Sequence, residues 1–175
     1  MPVIDAAVAT GRPADVVGMR FHVSPGSAVA PERAGGRSDL VEIVQTVTSS
    51  AAAVATARAV VERLGARAVV CGDRAGFLAD ALLVPYLNDA VQMLGAQYAT
   101  ADDIDAAMTL GCGYPAGPIE TLDALGLDVA LAIQQRLYLE SREPALAPAP
   151  LLQQLVTAGR LGRKTGQGFR EHSIA

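Results

Sequence analysis

The stretch from Asp39 to Gly72 constrains this chain more than any other. DLVEIVQ (39–45) and RAVVCG (67–72) are short, rich in β-branched residues and bounded by turns, which predicts strands. Between them runs SSAAAVATARAVVERLG, where Val54, Ala57, Val61 and Leu64 share one face. Thr48 or Ser49 can cap its start and Gly65 stops it, so it reads as a helix. Strand, helix and strand within about thirty-five residues is the size of a βαβ unit. VVGMRF (16–21) predicts a further strand. Three strands with one or two helices make a thin sheet with open edges, whereas strands this apolar ordinarily lie inside a larger parallel sheet. The expectation is the end of a longer α/β domain.

After Gly76 the pattern turns helical. FLADALLVPYLNDAVQMLGAQ is apolar almost all round, which predicts a buried helix kinked at Pro85. TADDIDAAMTLG opens on Thr100 with Asp103 three residues on, a capping arrangement, and closes at Gly111. GLDVALAIQQRLYLE (126–140) predicts another helix, REPALAPAP a rigid connector, and Pro150 opens a last helix that Gly159 ends. The expected boundary lies near Ala75, between a small α/β part (1–74) and an all-helical part (75–175). SPGSAVAPERAGGRS (24–38) has the composition of a mobile loop.

Composition narrows the function. Hydrophobic residues make up 51% but aromatics only 4%, so the core must use Ala, Val, Leu and Ile, which favours close helix packing. A net charge of −4 without a basic patch argues against a nucleic-acid partner. Cys71 and Cys112 stand far apart, with no CxxC and no histidine at ligand spacing, so they are expected as buried thiols in a reducing cytosol, with no metal site. There is no signal-peptide pattern and no apolar run near the roughly 18 residues that span a membrane. The expectation is a soluble, cytoplasmic protein with no membrane contact.

GCGYPAGPIETLDALGLDVAL (111–131) and LVTAGRLGRKTGQGF (155–169) resemble the 3-hydroxyacyl-CoA dehydrogenase family, namely its glycine–tyrosine–proline loop with the following helix and its C-terminal glycine-rich turn. MPVIDAAVATGRPADVVGMRF, LVEIVQT, VVCGDRAGF and ADDIDAAM are weaker matches in the same order. The resemblance implies a fold that is mainly α with a small α/β part: residues 1–74 as the end of a Rossmann-type NAD-binding domain, and residues 75–175 as a helical dimerisation domain. It implies NAD as cofactor, an acyl-CoA thioester as substrate, a homodimer, and interconversion of 3-hydroxyacyl-CoA and 3-oxoacyl-CoA in fatty-acid metabolism, including β-oxidation. No GxGxxG accompanies any strand here, so a complete NAD site is not expected in this chain. The glycines of GRLGRKTGQG follow a helix and read as a structural turn. The alternative is a non-catalytic dimerisation or acyl-CoA-binding module that acts with a separate cofactor-binding chain.

In such enzymes a histidine takes the hydroxyl proton and a glutamate orients it. The family pattern Gly-Met-His-Phe-Phe-Asn-Pro meets GMRFHVSP here, and Leu-Val-Glu meets LVEIV, which makes His22 and Glu42 the candidate catalytic residues. Counted from Gly18 the base position falls on Arg20; counted back from Pro25 it falls on Phe21. Two residues along a strand keeps His22 on the face of Arg20, displaced by roughly 6–7 Å, whereas one residue turns it away. Arg20 itself stays protonated and cannot accept a proton. Two alternatives remain open: His22 as an ordinary strand-end or loop histidine, and Glu42 as the polar face of an edge strand. His172 is expected to be solvated, and Tyr114 to pack in its loop.

Overall fold

The computed structural model describes residues 2–22 and 40–173. The expected loop at 24–38 lies outside the described residues. The fold is mainly α with a small α/β part, in two compact units that divide between Ala79 and Asp80.

The first unit carries α1 (Val3–Ala9), β1 (Gly18–His22), β2 (Leu40–Gln45), α2 (Ala51–Arg63) and β3 (Arg67–Gly72). Sheet order is β1-β2-β3, with β1 antiparallel and β3 parallel to β2. The β2–α2–β3 segment is therefore the βαβ unit read from the sequence. One sheet face is sealed by α2, through a cluster of Val41, Ile43, Ala57 and Val61. Burying each of the larger side chains contributes about 1.5–3 kcal/mol.

The cap of α2 differs from expectation. Ser50 Oγ accepts the Ala53 amide at 3.2 Å, while Ser49 Oγ is committed elsewhere, donating to the Val16 carbonyl at 2.7 Å. Gly65 (φ +76°) ends the helix, and Leu64 stays 49% exposed, so it is not part of the core face. Gly18 lets α1 approach the sheet: a Cβ there would lie 2.7 Å from a methyl of Val3.

The helical unit is built from α3 (Ala79–Gly95), α4 (Ala101–Ala106), α5 (Pro118–Leu125), α6 (Leu127–Ser141) and α7 (Pro150–Thr157). Val84, Leu87, Asn88 and Val91 mark the buried face of α3, but Leu82 and Met93 are exposed, so this helix is amphipathic and not buried all round. It continues through Pro85. Thr100 caps α4 by accepting the Asp103 amide at 3.1 Å, and one π-helical turn, Ala107–Gly111, carries the chain onward. Leu87, Val91, Ile119, Leu122, Leu127 and Leu152 form the core.

Buried polar side chains tie the irregular segments down, because each backbone group taken from water needs a partner. Asn88 donates to the Ala147 carbonyl at 3.0 Å and accepts the Ala149 amide at 2.8 Å, and Gln134 donates to the Leu146 carbonyl. These bonds fix the proline-rich connector. Asp105 accepts the Ile119 and Glu120 amides at the start of α5, close against Gly117, where a Cβ would collide with the carboxylate. Asp123 accepts the Phe169 and Arg170 amides and faces His172 Nε2 at 2.8 Å. His172 is therefore a partner of a buried carboxylate and not a solvated side chain.

The glycine-rich turn is held structurally: Arg163 pairs with Glu120, Lys164 with Asp128, and a Cβ at Gly162 or Gly168 would run into Asp123. Burial of the cysteines is also less than expected. Cys71 is half-buried and Cys112 exposed, both as thiols. No helix among the described residues is long and apolar enough to cross a membrane, and no His/Cys/Asp/Glu cluster among them could hold a metal ion.

Candidate active site

Strand alternation places the candidate residues. In the β1–β2 register Arg20 lies opposite Glu42 and His22 opposite Leu40, so Arg20, His22 and Glu42 project from one face of the sheet. Met19, Phe21, Val41 and Ile43 project from the other, the face that α2 covers at β2. His22 is thus a diagonal neighbour of Glu42, within reach of a long side chain.

The two side chains meet. His22 Nε2 lies 2.6 Å from Glu42 Oε2, with Glu42 fully buried and the His22 side chain 17% exposed. Glu42 Oε1 accepts two backbone amides, Leu78 at 3.0 Å and Ala79 at 2.7 Å. A carboxylate removed from water is costly unless paired and hydrogen-bonded, and three donors on two oxygens meet that need. Glu42 stands on the central strand, which excludes the reading of it as the polar face of an edge. Beside it, burial first, then the charges of Glu42 and Asp73, push the Cys71 thiol above its ordinary range.

Chemically the arrangement does one thing well. A carboxylate accepting the proton of one ring nitrogen fixes the tautomer and ring plane, and stabilises the imidazolium that forms when the second nitrogen takes a proton. The turn that delivers the two amides contains Gly76 (φ +71°) and Phe77 (φ +48°), and the Arg20 guanidinium lies 6.0 Å from the centre of the Phe77 ring. The sequence carries no sign of these two amides, because a backbone amide has no sequence signature.

A dinucleotide phosphate group does not fit the strand-to-helix turns among the described residues. Residues 46–50 (TVTSS) contain no glycine; the Ser49 and Ser50 amides donate to the carbonyls of Thr46 and Ala14, the Thr46 and Thr48 amides to side-chain hydroxyls, and Ser49 Oγ to the Val16 carbonyl. Residues 73–78 direct the amide of Leu78 to Glu42. A surface hollow of about 490 Å³ runs along α2, lined by Gln45, Ser49, Val54, Arg58 and Glu62, and involves neither His22 nor Glu42.

In the helical unit, burial first, then Tyr114, Asp105 and Cys112, push the Tyr86 phenol up to about 12. Tyr114 packs edge-on against Tyr86 with ring centres 5.5 Å apart.

Comparison with known proteins agrees with this architecture. Residues 76–172 match the family described as 3-hydroxyacyl-CoA dehydrogenase, C-terminal domain. A 3-hydroxybutyryl-CoA dehydrogenase of Mycobacterium tuberculosis is 41% identical over 97% of this chain and 56% of its own length. The crystal structure of (S)-3-hydroxybutyryl-CoA dehydrogenase PaaH1 from Ralstonia eutropha superposes with a TM-score of 0.88 at 33% identity, over 99% of this chain and 58% of the other. That of M. tuberculosis FadB2 gives 0.87 at 38%, over 99% and 57%. The chain therefore spans a little over half the length of the relatives it matches.

Proposed function

The chain belongs to the 3-hydroxyacyl-CoA dehydrogenase family, and from that premise we propose that it carries the proton-transfer half of such an enzyme. His22 exchanges the proton of the substrate 3-hydroxyl as 3-hydroxyacyl-CoA and 3-oxoacyl-CoA interconvert. Glu42 orients the ring and balances its charge. The observation that carries the reading is the 2.6 Å contact between His22 and a fully buried Glu42 whose other oxygen is held by two amides.

NAD is the cofactor the family implies. The described residues offer no cradle for its phosphates, so we assign its binding to the part of the relatives' length that this chain does not span. On this reading residues 1–74 complete a Rossmann-type domain and residues 75–175 form the helical domain that pairs with a second copy. Acyl-CoA thioesters of fatty-acid metabolism are the substrate class and the cytoplasm is the compartment, in keeping with two unpaired thiols.

The test joins this chain to the portion of the M. tuberculosis relative that it does not match, and follows NADH oxidation at 340 nm with acetoacetyl-CoA. Turnover is expected to fall by roughly 10²–10⁴-fold in His22→Gln, the range of general acid–base contributions, and substantially in Glu42→Gln. Turnover that survives both substitutions would remove the pair from the mechanism. If the joined protein binds acetoacetyl-CoA without turning it over, the binding-module alternative takes its place.

A further inference from the structure

Among the described residues, Phe77 (φ +48°), Gln97 (φ +56°) and Arg142 (φ +59°) are the non-glycine positions with a left-handed backbone. Two of them need no special account. Gln97 follows α3, and Arg142 is the cap of α6, where a left-handed residue closes the hydrogen-bond ladder of a helix end. Phe77 closes no helix. It follows Gly76, itself left-handed, and the amide immediately after it begins the pair that holds Glu42.

An aromatic residue is a poor choice for that backbone, where glycine or asparagine sits at far lower cost. The ring must therefore contribute something that a glycine would not, and its contact with Arg20 supplies the reason. Arg20 extends to the face of Phe77, 6.0 Å from its centre, at the outer range of a cation–π contact. Arg20 is also the residue directly across the strand pair from Glu42. One side chain thus links the strand that carries His22 to the turn that carries the two amides.

We propose that Phe77 is a positioning residue for the His22–Glu42 pair. Its backbone turns the Leu78 and Ala79 amides onto Glu42 Oε1, and its ring seats Arg20, so that Oε2 is presented to the imidazole in one orientation. Phe77 carries no acid–base group; it acts through Glu42. The inference rests on the reading of His22 and Glu42 as the proton-transfer pair, but its geometry is measurable without turnover.

The experiment uses the full 175-residue chain, labelled with 15N, at a pH where the His22 ring is neutral. Ring nitrogen shifts of His22 report its tautomer, amide exchange at Leu78 and Ala79 reports the turn, and a thermal melt reports the fold. The wild type and Phe77→Tyr, which keeps the ring, are expected to show a single tautomer with the proton on Nε2. Phe77→Ala is expected to mix the tautomers and speed exchange at both amides roughly tenfold, as loss of one ordinary hydrogen bond would. Arg20→Met should act in the same direction with the ring still present.

A Phe77→Ala chain that melts normally, keeps one tautomer and exchanges as the wild type does would overturn the proposal. If Phe77→Ala does not fold, Arg20→Met decides, and an unchanged tautomer and exchange there overturn it equally. Loss of the single tautomer in these variants, together with no turnover by the joined protein, would leave Phe77 as the positioning residue and remove only the dehydrogenase reading.

Discussion

Asp123 and His172 stand 49 residues apart in sequence and 2.8 Å apart in space. Their partners are of the same kinds as those of Glu42 and His22. Each of the chain's two histidines meets a buried carboxylate through Nε2, and each carboxylate accepts two backbone amides as well. One pair pins the segment 169–172 onto α5, and the other stands at a strand end. A histidine on an oriented carboxylate is thus a fastening as readily as a catalytic device, and the two pairs should be separable by what their loss does.

Removing His172 should cost stability. Asp123 would keep its amides but lose one donor while remaining buried, a penalty of about 1–3 kcal/mol. Urea unfolding of His172→Ala should show the midpoint lowered accordingly. An unchanged midpoint would mean that the bond contributes nothing to the fold.

Asn88→Ala should be more damaging still. It removes both bonds to the connector, leaving the Ala147 carbonyl and the Ala149 amide inside without partners. The expected loss is about 2–4 kcal/mol from two unsatisfied groups. Calorimetry would check it, with Gln92→Ala as a control on the same helix.

Tyr86 gives a prediction with a definite sign. Its hydroxyl is buried without a hydrogen-bond partner among the described residues, and its folded pKa, about 12, lies above the ordinary phenolic value of about 10. Between those values the unfolded chain releases a proton that the folded chain keeps, so stability falls as pH rises from about 10 towards 12. Tyr86→Phe should abolish that part of the decline and leave stability at neutral pH equal or slightly higher. Thermal melts of both proteins across this range would show it; curves that stay parallel would contradict it.

Among the described residues the sheet of the first unit has three strands, with β1 at one edge, too few to protect one another well. Amides of β1 should therefore exchange faster than those at Leu87–Val91 in the helical core. Exchange measured by mass spectrometry should resolve the two regions, and uniform protection would count against it.

Much of this architecture was legible because local chemistry dictates it. Alternating β-branched residues on either side of a one-faced helix specify β2–α2–β3, and Thr100 with Asp103 marks a helix start wherever the chain goes. The misreadings have a common cause. Three consecutive hydroxyls, Thr48, Ser49 and Ser50, can each cap α2, and the choice is made by Val16, more than thirty residues away, which engages Ser49. Whether Glu42 stands on an edge or a central strand depends on strand order, which no local pattern carries. His172 has no hint of Asp123 beside it in the sequence, and the amides of Leu78 and Ala79 belong to every sequence alike.

The fastening at Asp123 also sets an order on synthesis. Its carboxylate leaves the ribosome 46 residues before the Phe169 amide that satisfies it, and 49 before His172. Until those donors arrive, closing the core around Asp123 would bury an unpaired charge, which is prohibitively costly. The seam between α5 and residues 169–172 is therefore held ajar by its own electrostatics during elongation. The helical unit locks only when that late segment is delivered, so a nascent chain stalled before Phe169 should remain open to protease at this seam.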